Sequence, residues 1–190
     1  MGFSSLAPES DRSLAAPDAF PWFALQVEAN REKHVASLLC NKGYTAFLPL
    51  YRARRRWSDR FKDVQLALFP GYLFCRFDPL HRLPVLTTPG VRYVVGLGKI
   101  PVPVREAEID AVRRIVGSEL SSLPWPFVQV GDFVRLEEGP LAGLEGILIQ
   151  FKGRHRLVVS VTLLQRSVAV EIDRAWVRRL GPRCSPSAAS

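Results

Sequence analysis

Apolar and polar positions alternate along the chain in two different rhythms. The segment Pro21–Glu28 (PWFALQVE) alternates and is rich in aromatics, which predicts a strand. Asn30 is placed to cap a helix in which Val35, Leu38 and Leu39 recur at i, i+3 and i+4, with Gly43 as its end. Tyr44–Pro49 reads as a second strand, and Leu66–Phe77 holds a third with Pro70-Gly71 at its start. Asp78–Pro84 predicts a loop or a short helix limited by Pro84, and Val91–Val95 another strand. After the breaks at Pro101 and Pro103, Glu106–Val116 reads as a helix with Ile109, Val112, Ile115 and Val116 on one side. Acidic residues in its first turn suit the positive end of the helix dipole. A sheet packed with two helices makes residues 21–117 an α/β sandwich.

From Val128 the rhythm shortens. Phe133–Glu137, Gly146–Phe151, Arg156–Val161, Val168–Ile172 and Trp176–Leu180 read as five short strands with turn residues between them. That pattern predicts a small five-stranded antiparallel barrel over residues 128–181, which leaves no exposed edge. The Val, Ile and Thr content of Val158–Ile172 favours strands there. Ser and Pro cluster in 118–127, the expected linker, and residues 1–20 and 182–190 have the composition of disordered tails. The predicted fold class is therefore α+β: an antiparallel α/β sandwich followed by an all-β barrel.

Charge sharpens this division. The chain of 190 residues carries a formal net charge of +8, and residues 21–117 hold sixteen Lys or Arg against eight Asp or Glu. Either this domain binds a polyanion in a salt-dependent way, or its cations are a solvated surface. Arg52, Arg54, Arg55 and Arg56, followed by Trp57 and then Arg60-Phe61-Lys62, predict a basic hairpin or arm. Arg31, Lys33 and His34 add cations near the start of the first helix.

The chemistry-bearing residues argue against catalysis. His34, His81 and His155 are scattered, Cys40, Cys75 and Cys184 lie far apart, and neither set has metal-ligand or disulfide-framework spacing. Cys40 and Cys75 read as small core residues in a reducing cytosol. There is no phosphate loop, nucleophile elbow or carboxylate-rich metal motif. No apolar run approaches the ~18 residues of a membrane span. The expectation is a cytoplasmic, monomeric, non-enzymatic protein without a cofactor.

Two local patterns carry more. In Leu68-Phe69-Pro70-Gly71-Tyr72-Leu73-Phe74, alternation puts Tyr72, Phe74 and Arg76 on one face and Leu73, Cys75 and Phe77 on the other. If Leu73 and Phe77 pack under the helices, Tyr72 and Phe74 point away, either as a protein-docking surface or beneath another element. In Val130–Gly146, Gly131-Asp132, Gly139-Pro140, Gly143 and Gly146 supply the turn chemistry of a compact barrel.

Together these stretches resemble the NusG family, including specialised relatives such as RfaH and the polysaccharide-operon antiterminators. The first part is similar to the NGN domain, from Trp22-Phe23-Ala24-Leu25 and Glu32 through Phe47-Leu48-Pro49, Phe69–Phe74, Thr88-Pro89-Gly90-Val91 and Pro103-Val104. The second resembles a KOW domain through Val130-Gly131-Asp132, Gly139–Gly143, Gly146 and Val168–Ile172. The resemblance implies transcription elongation and antitermination. It implies docking on the β′ clamp helices of RNA polymerase through Phe69, Tyr72 and Phe74, with β-subunit contact at Leu80, His81 and Arg82. It also implies non-template DNA contact through Arg31, Lys33, His34, Arg52, Arg54, Arg55 and Arg56, with Trp57 offered for stacking. Family KOW domains recruit Rho or a small-subunit ribosomal protein at a Gly-Pro-Phe tip, which here is Gly139-Pro140-Leu141. That departure, the arginine arm and the absence of a long acidic insertion together point to a specialised paralogue rather than a housekeeping factor. Some relatives hide the docking face beneath their own C-terminal domain. The alternative is a ribosome- or RNA-associated KOW-domain protein.

Overall fold

The computed structural model describes residues 20–57, 60–128 and 131–182, with the backbone alone at 55–57, 60, 151, 181 and 182. Of the expected tails, residues 1–19 and 183–190, with Cys184, lie outside the described residues, while Pro182, expected to open the second tail, ends the last strand.

β1 (Trp22–Val27) is an inner strand of an antiparallel sheet, which accounts for its almost continuous apolar sequence. It pairs with β5 (Tyr72–Arg76), which in turn pairs with β2 (Thr45–Phe47). On its other side it pairs with β6 (Val91–Val94) and, at its start, with β9 (Pro103–Val104). α1 (Glu32–Asn41) and the four-residue α2 (Leu83–Leu86) lie on one face. There Val35, Leu39 and Val85 join Phe23, Leu25, Leu73, Cys75 and Phe77 in one buried cluster. Asn30 does not cap α1. It sits at φ +66°, a left-handed conformation that Asn tolerates, and the cap position is Arg31. α3 (Glu106–Gly117) joins the opposite face, where Ile109, Val112 and Ile115 share a cluster with Trp22, Ala24 and Phe74.

Two small hairpins leave this sheet. β3 (Leu50–Trp57) pairs with β4 (Arg60–Ala67) from Leu50↔Ala67 to Trp57↔Arg60 and forms the expected arm. β7 (Gly96–Leu97) pairs with β8 (Ile100–Pro101).

The second unit is a six-stranded antiparallel sheet in the order β10-β14-β13-β12-β11-β15. Its strands are β10 (Ser122–Pro126), β11 (Asp132–Leu136), β12 (Glu145–Phe151), β13 (Arg154–Val161), β14 (Arg166–Glu171) and β15 (Val177–Pro182). Five of them match the expected strands. The sixth, β10, lies inside the segment read as linker. It pairs with β14 from Ser122↔Val170 to Pro126↔Arg166. Ser121 accepts the Glu171 N–H at 3.0 Å, so the backbone of residues 121, 123 and 125 turns toward β14. Pro124 and Pro126 then fall on the outer edge, where a missing N–H costs no ladder bond and blocks further strand pairing.

One buried cluster joins the two units. It runs from Trp22, Phe69 and Phe74 through Ile109, Val112 and Ile115 of α3 to Val134, Leu136, Leu141 and Val159 of the second sheet.

Candidate functional site

Alternation along β5 sorts its side chains as the sequence predicts: Leu73, Cys75 and Phe77 go to the α1 face, and Phe74 goes to the other. What the sequence left open was the covering of that second face. Phe69 and Phe74 are buried in the joint cluster, with their rings edge to face at 5.7 Å, so neither ring presents a surface here. α3 closes over the neighbouring part of the face. Glu106 accepts the indole N–H of Trp22 at 3.1 Å and pairs with Arg76. The guanidinium groups of Arg76 and Arg113 lie 4.8 and 4.9 Å from the Trp22 ring, each within cation–π range.

Tyr72 is the member of the predicted docking set that stays half-exposed. It opens β5 directly after a turn at Gly71, whose φ of +79° favours glycine. Glu32, buried at the start of α1, accepts the Gly71 N–H at 2.8 Å and fixes this turn. The second unit reaches the same place: the Arg166 guanidinium of β14 lies 5.6 Å from the Tyr72 ring.

A polar seam reinforces this contact. Glu108 of α3 accepts from the Thr162 hydroxyl at 2.9 Å and from the Thr162 N–H at 3.5 Å. Arg105 donates to both Glu108 and Thr162, at 3.1 Å each. Arg114 donates to the carbonyl of Ala142 in the tip loop.

That loop corrects another expectation. Gly139 and Pro140 are exposed, but Leu141 is fully buried in the joint cluster. Gly139 and Gly143, both at positive φ, turn the chain so that Leu141 points inward. Leu141 is a core residue rather than an exposed anchor.

The Leu80-His81-Arg82 segment lies past the far end of β5 from Tyr72, beside α2, so the structure does not unite these two predicted sites. Leu80 is 87% exposed and Arg82 is half-buried. His81 contacts Asp78 at 2.7 Å, and this bond, together with the Leu80 N–H, holds the Asp78 carboxyl below its ordinary value. Leu83, which the sequence reading passed over, is also exposed.

The basic residues divide in two. Arg31, Lys33 and His34 are exposed at the start of α1, and Arg31 pairs with Glu28 at 3.2 Å. Lys33 shares a cleft of 370 Å³ with Tyr51 and Gln65 at the base of the arm. Arg52 and Arg54 are exposed along β3, while the side chains of Arg55, Arg56 and Trp57 lie outside the described set. The fold thus brings Lys33 and the arm's base around one cleft. The sequence places Phe61 in the arm without a role of its own; it is 61% exposed on β4 with the Arg54 guanidinium 4.8 Å from its ring centre. The available signal was one aromatic in a polar alternating run. Among the described residues, no three His, Cys, Asp or Glu side chains gather as a metal site, and no helix is long and apolar enough to cross a membrane.

A family model described as transcription termination factor nusG matches residues 20–113. The chain is 31% identical over 166 residues to the transcription termination/antitermination protein NusG of Thermus thermophilus, covering 80% of this chain and 90% of that protein. It is 28% identical over 128 residues to the Helicobacter pylori NusG, covering 65% of this chain and 72% of that protein. A solved structure of domain interaction in Thermotoga maritima NusG aligns with 86% of this chain and 99% of its own at a TM-score of 0.53 and 24% identity, a likeness of fold.

Proposed function

This chain belongs to the NusG family and is a NusG-type transcription factor, and from that premise we propose that it binds RNA polymerase through the face around Tyr72 and suppresses pausing or termination. The observation that carries the reading is the half-exposed Tyr72, set on a turn fixed by Glu32 and flanked by the apolar rings of Phe69 and Phe74. Tyr72 contacts the β′ clamp helices directly; Phe69 and Phe74 support it from beneath. Arg166 and the second unit overlie part of this face, so full engagement requires that unit to move. A factor that prefers the closed polymerase clamp shifts the population toward it by differential binding.

The remaining roles follow the same placement. The exposed loop at Leu80, His81 and Arg82 is the candidate for the β subunit. Lys33, Arg52 and Arg54 hold phosphates of the non-template strand at the arm's base, with Arg31, His34, Arg55, Arg56 and Trp57 as further candidates. Gly139 and Pro140 offer the second unit's exposed tip to Rho or a small-subunit ribosomal protein. The arginine-rich arm favours a specialised factor of the RfaH kind acting in the cytoplasm. Chemistry has no part in this account. The test is transcription in vitro with purified polymerase: the full chain should shorten pauses and co-purify with the elongation complex. Failure to associate with elongating polymerase removes the reading and leaves the alternative of an RNA- or ribosome-associated protein.

A further inference from the structure

The arm has two unlike faces. Along β3 and β4, the pairs Tyr51↔Leu66 and Ala53↔Val64 present half-buried, mainly apolar side chains on one face. The pairs Arg52↔Gln65 and Arg54↔Asp63 present exposed polar ones on the other. Alternation puts Phe61 in line with Asp63 and Gln65, on the polar face. It is a large aromatic where the pattern calls for a polar residue, and 61% of it is open to solvent. The Arg54 guanidinium, 4.8 Å from the ring centre, orients the ring by a cation–π contact. Arg52 stands two residues back along the same edge, and Lys62 is exposed beside Phe61.

We infer that Phe61 is a stacking platform for an unpaired base, with Arg52 and Arg54 holding the adjoining phosphates. This rests on the nucleic-acid role of the arm proposed above and names its ligand: a single strand, bound without base preference. Cations alone bind duplex and single strand alike, since both offer phosphates. An exposed ring adds selectivity, because every unpaired base has a free π face, whereas a duplex must be unstacked to supply one. Charge complementarity and an open aromatic meet on one face of the arm, and Asp63 is the only acid among those four paired residues.

The experiment is a set of anisotropy titrations of the full chain with labelled oligothymidine, oligouridine and a duplex of equal length, at two salt concentrations. Phe61→Leu should weaken single-strand binding about tenfold, within the range of one base–aromatic stack, while duplex affinity and salt dependence stay unchanged. Phe61→Trp should restore or exceed the original affinity. The variant with Arg52→Gln and Arg54→Gln should weaken both ligands and lower the salt slope by about one per cation lost. Equal losses on DNA and RNA mark a platform indifferent to the sugar, and a loss on one alone identifies the strand it serves. If Phe61→Leu leaves single-strand affinity intact while the double arginine variant weakens it, the platform is wrong and the nucleic-acid reading stands. If neither variant changes any affinity, that reading falls and takes the platform with it.

Discussion

Replacing Glu108 with Ala tests whether α3 and the second unit hold each other in place. The Glu108 side chain is 11% exposed and accepts two hydrogen bonds from Thr162 across the seam, at 2.9 and 3.5 Å. A hydrogen bond to a charged group contributes ~1.5–3 kcal/mol, and the longer contact, at the limit of good geometry, adds little. Arg105 is 71% exposed, so solvent screens most of its ion pair with Glu108. Glu108→Ala should therefore shift the equilibrium between joined and separated units by roughly 10- to 150-fold toward separation. The same change removes an acid from the first turn of α3, at a cost to the helix of ~0.3–1 kcal/mol. Thr162→Val separates the two effects, since it loses the hydroxyl contact and leaves α3 intact. The assay is amide hydrogen exchange at Thr162, whose N–H faces the seam, with Val159 inside β13 as the internal reference. Exchange at Thr162 should accelerate in both variants while Val159 stays protected, and the two substitutions should couple in a double-mutant cycle. Unchanged exchange at Thr162, or an equal loss at Val159, refutes the seam as a clasp between units.

Three further outcomes follow from local geometry. A Cβ on Gly146 would lie 2.5 Å from the Val158 carbonyl oxygen, so Gly146→Ala should destabilise the second unit by ~1–3 kcal/mol, read as a lower midpoint of denaturant unfolding. Cys40 is exposed, contrary to its expected place in the core, while burial, followed by the influence of Cys40, pushes the Cys75 thiol up to about 12, so alkylation at mildly alkaline pH should label Cys40 and spare Cys75 until the chain unfolds. Because the folded Asp78 carboxyl titrates below its ordinary value of about 3.8, its support of the Pro79–His81 turn is fully present above that value. It is lost only as pH falls through the lower folded value, which NMR titration of the Leu80 amide should show.

The sequence exposed what short-range periodicity controls. The two faces of β5, the apolar side of α3 and five strands of the second sheet were all legible, because each depends on a repeat of two or of 3.6 residues. Coverage of the Tyr72 face was not, since it depends on α3 and Arg166, remote in sequence and brought near only by tertiary packing. β10 was hidden by its own composition: Ser and Pro signal a linker, yet Leu123 and Trp125 alternate as a strand does, and both prolines fall on the harmless edge. Leu141 was misread because its inward turn requires positive φ at Gly139 and Gly143, and spacing alone does not reveal direction. Phe61 was read only as part of the basic arm, because the arginines around it dominate that segment.

Engagement of RNA polymerase through Tyr72 is the proposal on which the other assigned roles depend. Its most direct test is equilibrium binding of the full chain to core polymerase, comparing the natural sequence with Tyr72→Ala. Removal of an aromatic anchor at an interface centre typically costs ~2 kcal/mol or more, so the variant should bind at least about thirtyfold more weakly while keeping its fold by circular dichroism. Equal affinity of the two proteins, or no binding by either, contradicts the account.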